Sequence, residues 1–448
     1  MNFKNNYLQK YEFMLDKHQV TFLSTRIWNL FGYLFSLYFV TTYLSQIEQG
    51  YYYTLNSLIA LQVFFELGFS YVIVQKSSSL YSIWNASDDE SVREDSFRNI
   101  SSFFYYIIQW FLGSGVLLII VLVLLGKLFF SKDTSDVVSS LHSLWYLLVV
   151  LTSVNLILTA VLSFFEGFGK AIIVYRIKLF QNIVSQIVLW TSIFFGKGIY
   201  SLLLSNLALF LVGVIFVFKF FITDIIELIK IRTNKFLYWF TDLFKFQSKV
   251  ALSWISGYLQ FQLLVPILFR YSGAVDAGRM GNTFSIVSGI TALSLALIQS
   301  KSWEYSALIA VQNYDRLNEV FKKHLLQCIS VSLFVGMGLF GTVILMNYYK
   351  FNIVTKILPT IPFLFFIIAT ILNVVTSSFA IYLRAFLEEK LLVVSLLTGV
   401  SIISLLYIFT PFFGIIGVAV VYLGCTFIFG FLGSLIVYKN KVKYISTL

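Results

Sequence analysis

Twelve apolar runs of about twenty residues or more leave this chain few ways to fold. They cover residues 19–44, 51–75, 99–126, 137–165, 173–196, 199–219, 248–270, 279–300, 323–348, 357–383, 390–410 and 412–438. About twenty helical residues match a hydrocarbon core of about 30 Å. In lipid, every backbone polar group must find a partner inside the protein, which a helix provides within its own segment. Hydrophobic residues make up 58% and charged residues only 12%, with a mean hydropathy of +0.85. A soluble chain carries about 25% charged residues. The expected fold class is an all-α polytopic membrane protein with about 12 transmembrane helices.

The positive charges set an expected orientation. With the N-terminus inside, seven Lys and Arg residues fall outside: Lys127, Lys132, Lys197, Arg270, Arg279, Lys350 and Lys356. Most of the 32 then lie on the inner side or at inner helix ends. Both termini are therefore expected in the cytoplasm. The first 18 residues read as an amphipathic lead-in on that surface, with no cleavable signal. The net charge of +11 follows this topology and does not point to nucleic acid.

A hairpin near the start has a copy in the second half. The turn Tyr43-Leu-Ser-Gln-Ile-Glu-Gln-Gly50 returns 228 positions later as Tyr271-Ser-Gly-Ala-Val-Asp-Ala-Gly278. Tyr matches Tyr, Ile47 matches Val275, Glu48 matches Asp276 and Gly50 matches Gly278. Trp28 with Gly32-Tyr33 and Trp254 with Gly257-Tyr258 precede the two turns. An offset close to half the length points to a duplicated chain.

Soluble-type chemistry is absent from the sequence. It has no phosphate-binding glycine loop, no paired carboxylates close in sequence within a span and no Ser/His/Asp set. Cys328 and Cys425 fall within spans, and His18, His142 and His324 lie far apart, so no metal site, disulfide framework or cofactor is expected. The informative residues are the few charges at membrane depth. Arg26 either snorkels to the inner surface or lines a cavity, and Glu66 is either a structural ion-pair partner or an ion-coupling group. Arg270 and Arg279 flank the copied turn, where they either bind an anionic head group or form an ordinary surface cluster with Asp276. Arg176 and Lys178 either receive an anionic head group or anchor the fifth span by charge. Pro266 is expected to bend the seventh span.

Several passages resemble Wzx-type polysaccharide and O-antigen flippases of the multidrug/oligosaccharidyl-lipid/polysaccharide exporter superfamily. They are the turn from Tyr43 to Tyr53, Glu66-Leu-Gly68 with Val74-Gln-Lys76, Ser306-Ala-Leu-Ile-Ala310 with Asp315-Arg-Leu317, and Tyr382-Leu-Arg-Ala385 with Glu388-Glu389. Ala296-Leu-Ile-Gln-Ser300 lacks the proline usual in many members. The resemblance implies two six-helix bundles related by an axis along the membrane normal. Their boundaries would be 19–219 and 248–438, with a cytoplasmic interfacial linker at 220–247 and a basic tail at 439–448. It also implies a central cavity opening to each side in turn, with cationic residues facing a lipid-linked diphosphate. Arg26 matches such a residue, and Arg270 and Arg279 match by approximate position.

The expected function is that of a non-enzymatic flippase in a bacterial inner membrane. Its cargo would be a polyprenyl-diphosphate-linked oligosaccharide, an O-antigen, capsule or exopolysaccharide unit. Its partners would be the lipid-linked oligosaccharide, the bilayer, and polymerase and glycosyltransferases of the same route. The alternative is a cation-coupled drug exporter on the same scaffold. A membrane polymerase or glycosyltransferase fits less well, because the outer loops are too short to carry catalytic residues.

Overall fold

The structure, a computed structural model, describes residues 28, 31–32, 35–66, 69–86, 89–130, 137–231, 238–241, 252, 255–299, 305, 308–309, 312–386 and 389–445. Among them the fold is helical and contains no strand. In the first half, α1 (residues 35–43) leads to α2 (Gln46–Ile59), a 3-10 turn at Ala60–Gln62 and a short helix at Val63–Glu66. Then follow α3 (Phe69–Ala86), α4 (Glu90–Phe130), α5 (Val137–Phe165), α6 (Ala171–Phe194) and α7 (Tyr200–Lys230). The second half holds a helical piece at 255–261, α8 (Leu264–Ser272), α9 (Ala274–Gln299) and α10 (Tyr314–Tyr348). It ends with α11 (Thr360–Arg384), α12 (Leu392–Cys425) and α13 (Gly433–Ile445).

Seven stretches are long and apolar enough to cross a membrane. Two of them, His142–Phe194 and Leu392–Ile445, have 53 and 54 residues. At 1.5 Å per residue each would reach about 80 Å, more than twice the hydrocarbon core, so each is two spans. The backbone leaves the helical region inside both, at Phe168 and Gly169 (φ 75°) and at Gly414 (φ 51°). Glycine suits these two joints because positive φ costs it nothing sterically. Among the described residues, α1, the α2–α3 pair and the broken segment 255–272 fall at the three remaining expected spans.

Local chemistry explains the breaks and starts. Pro266 has no N–H for the carbonyl of Gln262, and its ring crowds that carbonyl. The helix accordingly stops at Gln262–Leu263 and resumes as α8. Ser45 caps α2 through a reciprocal pair: its Oγ accepts from Glu48 N at 3.2 Å, and Glu48 Oε2 accepts from Ser45 N at 2.8 Å. That box starts the helix at Gln46, so most of the expected turn is helical. In the copy, α9 likewise starts directly after Gly273, with Asp276 in its first turn. The sixth span runs on past residue 219 to Lys230, because Phe221 and Leu228 continue its buried face.

Each half has its own core. In the first, Phe103, Phe111, Trp145, Phe165 and Phe221 are buried together, with the Phe165 and Phe221 rings stacked 4.2 Å apart. In the second, Leu264, Met280, Phe363, Phe366 and Tyr422 form one cluster, and Tyr305, Phe321 and Tyr382 belong to another.

Candidate functional site between the two halves

The extensive helix packing that joins the halves is that of α2 against α9 and α8. It is possible because glycine lies where the helices cross. A Cβ on Gly50 would stand 1.9 Å from the Ala274 carbonyl oxygen, and one on Gly278 would stand 3.0 Å from the Gln46 carbonyl oxygen. Glycine in a helix costs about 1 kcal/mol relative to alanine, and here it allows backbones to meet, as small residues do between membrane helices. The pairing is reciprocal. Gln46 and Ala274 are equivalent in the two copies, and so are Gly50 and Gly278, so each glycine meets the partner of the other. Such an exchange is the mark of a two-fold interface. It relates the two copies by a pseudo-two-fold axis at this crossing.

Polar groups tie the same end together. Asn282, fully buried one turn beyond Gly278, donates to Gln49 Oε1 at 2.6 Å and to the Lys356 carbonyl at 2.7 Å. Gln49, also buried, donates to the Leu44 carbonyl at 2.9 Å. Gln46 reaches Thr355, and Lys356 Nζ donates to the Thr41 carbonyl. Deeper along α2, the Tyr258 hydroxyl donates to the Ser57 carbonyl at 3.1 Å, and the Tyr258 ring meets Phe64 edge-on at 4.9 Å. Beyond Phe64 the described helices of the two halves no longer pack extensively on each other. Helix α3 packs on α4, α5 and the 166–170 break, and the far end of α9 packs on residues of its own half. Among the described residues, the halves are thus joined at the hairpin end and not at the opposite end.

The candidate charges separate in this framework. Arg26 lies outside the described residues. Glu66 is partly buried at the end of the broken α2, with no ion pair or hydrogen bond among the described residues. Arg279 is engaged: Asp276 accepts from its Nη1 at 3.2 Å and the Thr355 carbonyl from its Nε at 2.9 Å. Lys178 is likewise bound to Glu166 at 2.6 Å, and the Tyr175 hydroxyl donates to the same carboxylate. Lys170 pairs with Asp224 at 2.5 Å. Arg176 is exposed, with no ion pair among the described residues.

Arg270 differs from Arg279. It closes α8 at the hairpin end, is exposed, and has no ion pair among the described residues. It borders a cavity of 730 Å³ between the halves whose lining is otherwise apolar or aromatic. A second cavity, of 320 Å³, lies within the second half among uncharged polar groups such as Gln260, Asn373 and Thr398, with the Arg384–Glu389 pair at its edge.

Sequence reasoning did not single out Gln49, Asn282 or Lys356. The available signal was a buried-looking amide beside each of two small-residue positions in apolar helices. The ion pairs yield a direct check. Lys178→Ala should lower the thermal unfolding midpoint by a few degrees, because Glu166 loses its cation in a partly buried place, at a cost of about 1–2 kcal/mol. Arg176→Ala should leave the midpoint unchanged. Equal midpoints for both variants would contradict the role given to the Glu166 pair.

The fold, built from two related halves, is shared with solved membrane transporters. Solved structures with the same fold include an inward-facing multidrug resistance MATE family transporter of the MOP superfamily. It is 14% identical, with 93% of this chain and 99% of that chain covered and a TM-score of 0.60. An outward-facing MATE transporter structure gives 12% identity, coverages of 96% and 97% and a TM-score of 0.57. Lipid II flippase MurJ, in an inward closed conformation, gives 17%, coverages of 96% and 90% and a TM-score of 0.54. At these identities the likeness establishes the fold. No family model and no curated protein matches the chain.

Proposed function

We propose that the protein is an alternating-access flippase that carries a polyprenyl-diphosphate-linked oligosaccharide from the inner to the outer leaflet of a bacterial inner membrane. The observation that carries this reading is the pairing of a two-fold crossing, packed extensively at the hairpin end, with an arginine beside it that has no ion pair among the described residues. A carrier of this kind works by closing one end of its interface while the other opens. Guanidinium binds phosphate oxygens in pairs, so Arg270 suits a diphosphate. The positive charges of the loops support placing the hairpin end outside and the open end in the cytoplasm. Arg270 then stands at the outer mouth, where the cargo leaves, and Arg26, which lies outside the described residues, is the cation the sequence offers for uptake at the inner end. The sugar would be built by glycosyltransferases before transport and joined by a polymerase after it.

The test is reconstitution into liposomes with two cargoes, a fluorescent polyprenyl-diphosphate oligosaccharide and a lipophilic cationic dye. Movement of the lipid-linked sugar across the bilayer is expected, with no dye accumulation. Arg26→Ala and Arg270→Ala should each lower the rate at least tenfold, and lysine should restore part of it. Dye transport driven by an ion gradient, with no sugar movement, would replace this reading with the drug exporter.

A further inference from the structure

The cavity that Arg270 borders has a shape and polarity of its own. Its walls are Leu58, Leu61 and Phe64 from the first half and Tyr258 and Ile267 from the second, and Arg270 is the one charged residue in the lining. From Tyr258 to Arg270 the wall runs along the helical piece at 255–261, across the break at 262–263 and up most of α8. The cation sits at one end of that length, and the far end is wholly apolar and aromatic. The cationic end is open to the surroundings: Arg270 is exposed, and Tyr407 beside it is 47% exposed. Tyr271 and Tyr407 meet edge-on there at 6.3 Å, and exposed tyrosines mark the level of lipid head groups. The groove therefore descends from head-group depth into the hydrocarbon region. Its neighbour Arg279 is neutralised by Asp276, which leaves Arg270 as the charge available to a ligand.

We infer that this groove holds the hydrocarbon chain of the cargo lipid, with its phosphate on Arg270, as the station the lipid occupies at the hairpin end. This rests on the flippase reading, and it adds the place and the chemistry of the lipid part of the cargo. A chain seated there lies between the halves, so the crossing can separate while the phosphate keeps a charge partner and the chain never meets water. Charge complementarity selects the occupant: a lipid whose anionic group sits directly on a single chain matches one cation at the end of one groove.

The experiment uses the full chain in phosphatidylcholine nanodiscs and a polyprenyl phosphate bearing a diazirine in its chain. After irradiation, labelled peptides should come from residues 58–64 and 258–267. Arg270→Gln should lower their yield about tenfold and Arg270→Lys by less. Leu61→Trp, which fills the groove and leaves the cation in place, should also lower it about tenfold. The same diazirine on an uncharged polyprenol should label these peptides at least tenfold less. Labelling spread evenly over the lipid-facing helices, or equal yields from phosphate and alcohol, would overturn the inference. Complete displacement by equimolar phosphatidylglycerol would overturn it in favour of a bulk anionic lipid. Liposome transport keeps the two readings apart. If the wild-type protein moves the lipid-linked sugar but the groove is unlabelled, the inference fails alone. If no lipid-linked sugar moves, the flippase reading fails.

Discussion

Gly50→Val should abolish transport while the protein still accumulates in the membrane. The first atom added at position 50 would stand 1.9 Å from the Ala274 carbonyl oxygen and 2.6 Å from its carbon. Both are backbone atoms, so no side-chain rotation relieves the overlap and α2 and α9 must separate. Overpacking of this kind costs about 3 kcal/mol, enough to shift a two-state equilibrium about a hundredfold. The strain exists only when the hairpin end is closed, so the variant should rest with that end open. Spin labels at Tyr43 and Tyr349, both exposed at the hairpin end in opposite halves, should report a longer distance than in the wild-type protein. Gly278→Ala should do less than Gly50→Ala, because its nearest contacts are 2.9–3.1 Å. Wild-type transport and unchanged distances in Gly50→Val would sink the idea that this crossing must close.

Asn282→Leu should open the same end by removing its buried polar tie. The substitution leaves Gln49 Oε1 and the Lys356 carbonyl without their donor. A buried polar group left unpaired costs about 1–3 kcal/mol, so the open population should rise by roughly tenfold to a hundredfold. Replacing both members of a hydrogen-bonded pair is far less costly than replacing one. The double variant Gln49→Leu/Asn282→Leu should therefore recover part of the closed population, short of what the Lys356 and Leu44 carbonyls lose with their donors. The same spin-label distances measure it, as a double-mutant cycle. Strictly additive effects would show that the two amides do not act together.

Much of the fold was legible because membrane spans are written locally. Val137–Phe165 begins and ends where its apolar run does, and the break before Pro266 follows from one missing donor. The capping box Ser45–Glu48 lies within four residues of sequence, but its effect shows only in the fold. It turns the apparent loop into the first turn of α2 and brings Gln46 and Gly50 to the crossing. The candidate site was legible only in part. Arg270, Arg279 and Lys178 look alike in the sequence, each a cation near a span end. Two are already matched by acids, Asp276 within the same helix and Glu166 across the break at 166–170, and only Arg270 borders the groove. Gln49 and Asn282 carry no charge and match no motif, and their partnership exists only in the fold.

By itself, the sequence determined that this chain crosses the membrane about twelve times and that its second half echoes its first, because both properties depend on runs and spacings along one dimension. Tertiary structure decided which echoing residues touch, which cations remain available, and which end of the interface is shut. Those depend on backbones approaching within a few ångströms across a separation of more than two hundred residues. No local pattern fixes that approach: the glycines permit it, and the packing of α2 against α9 makes it happen.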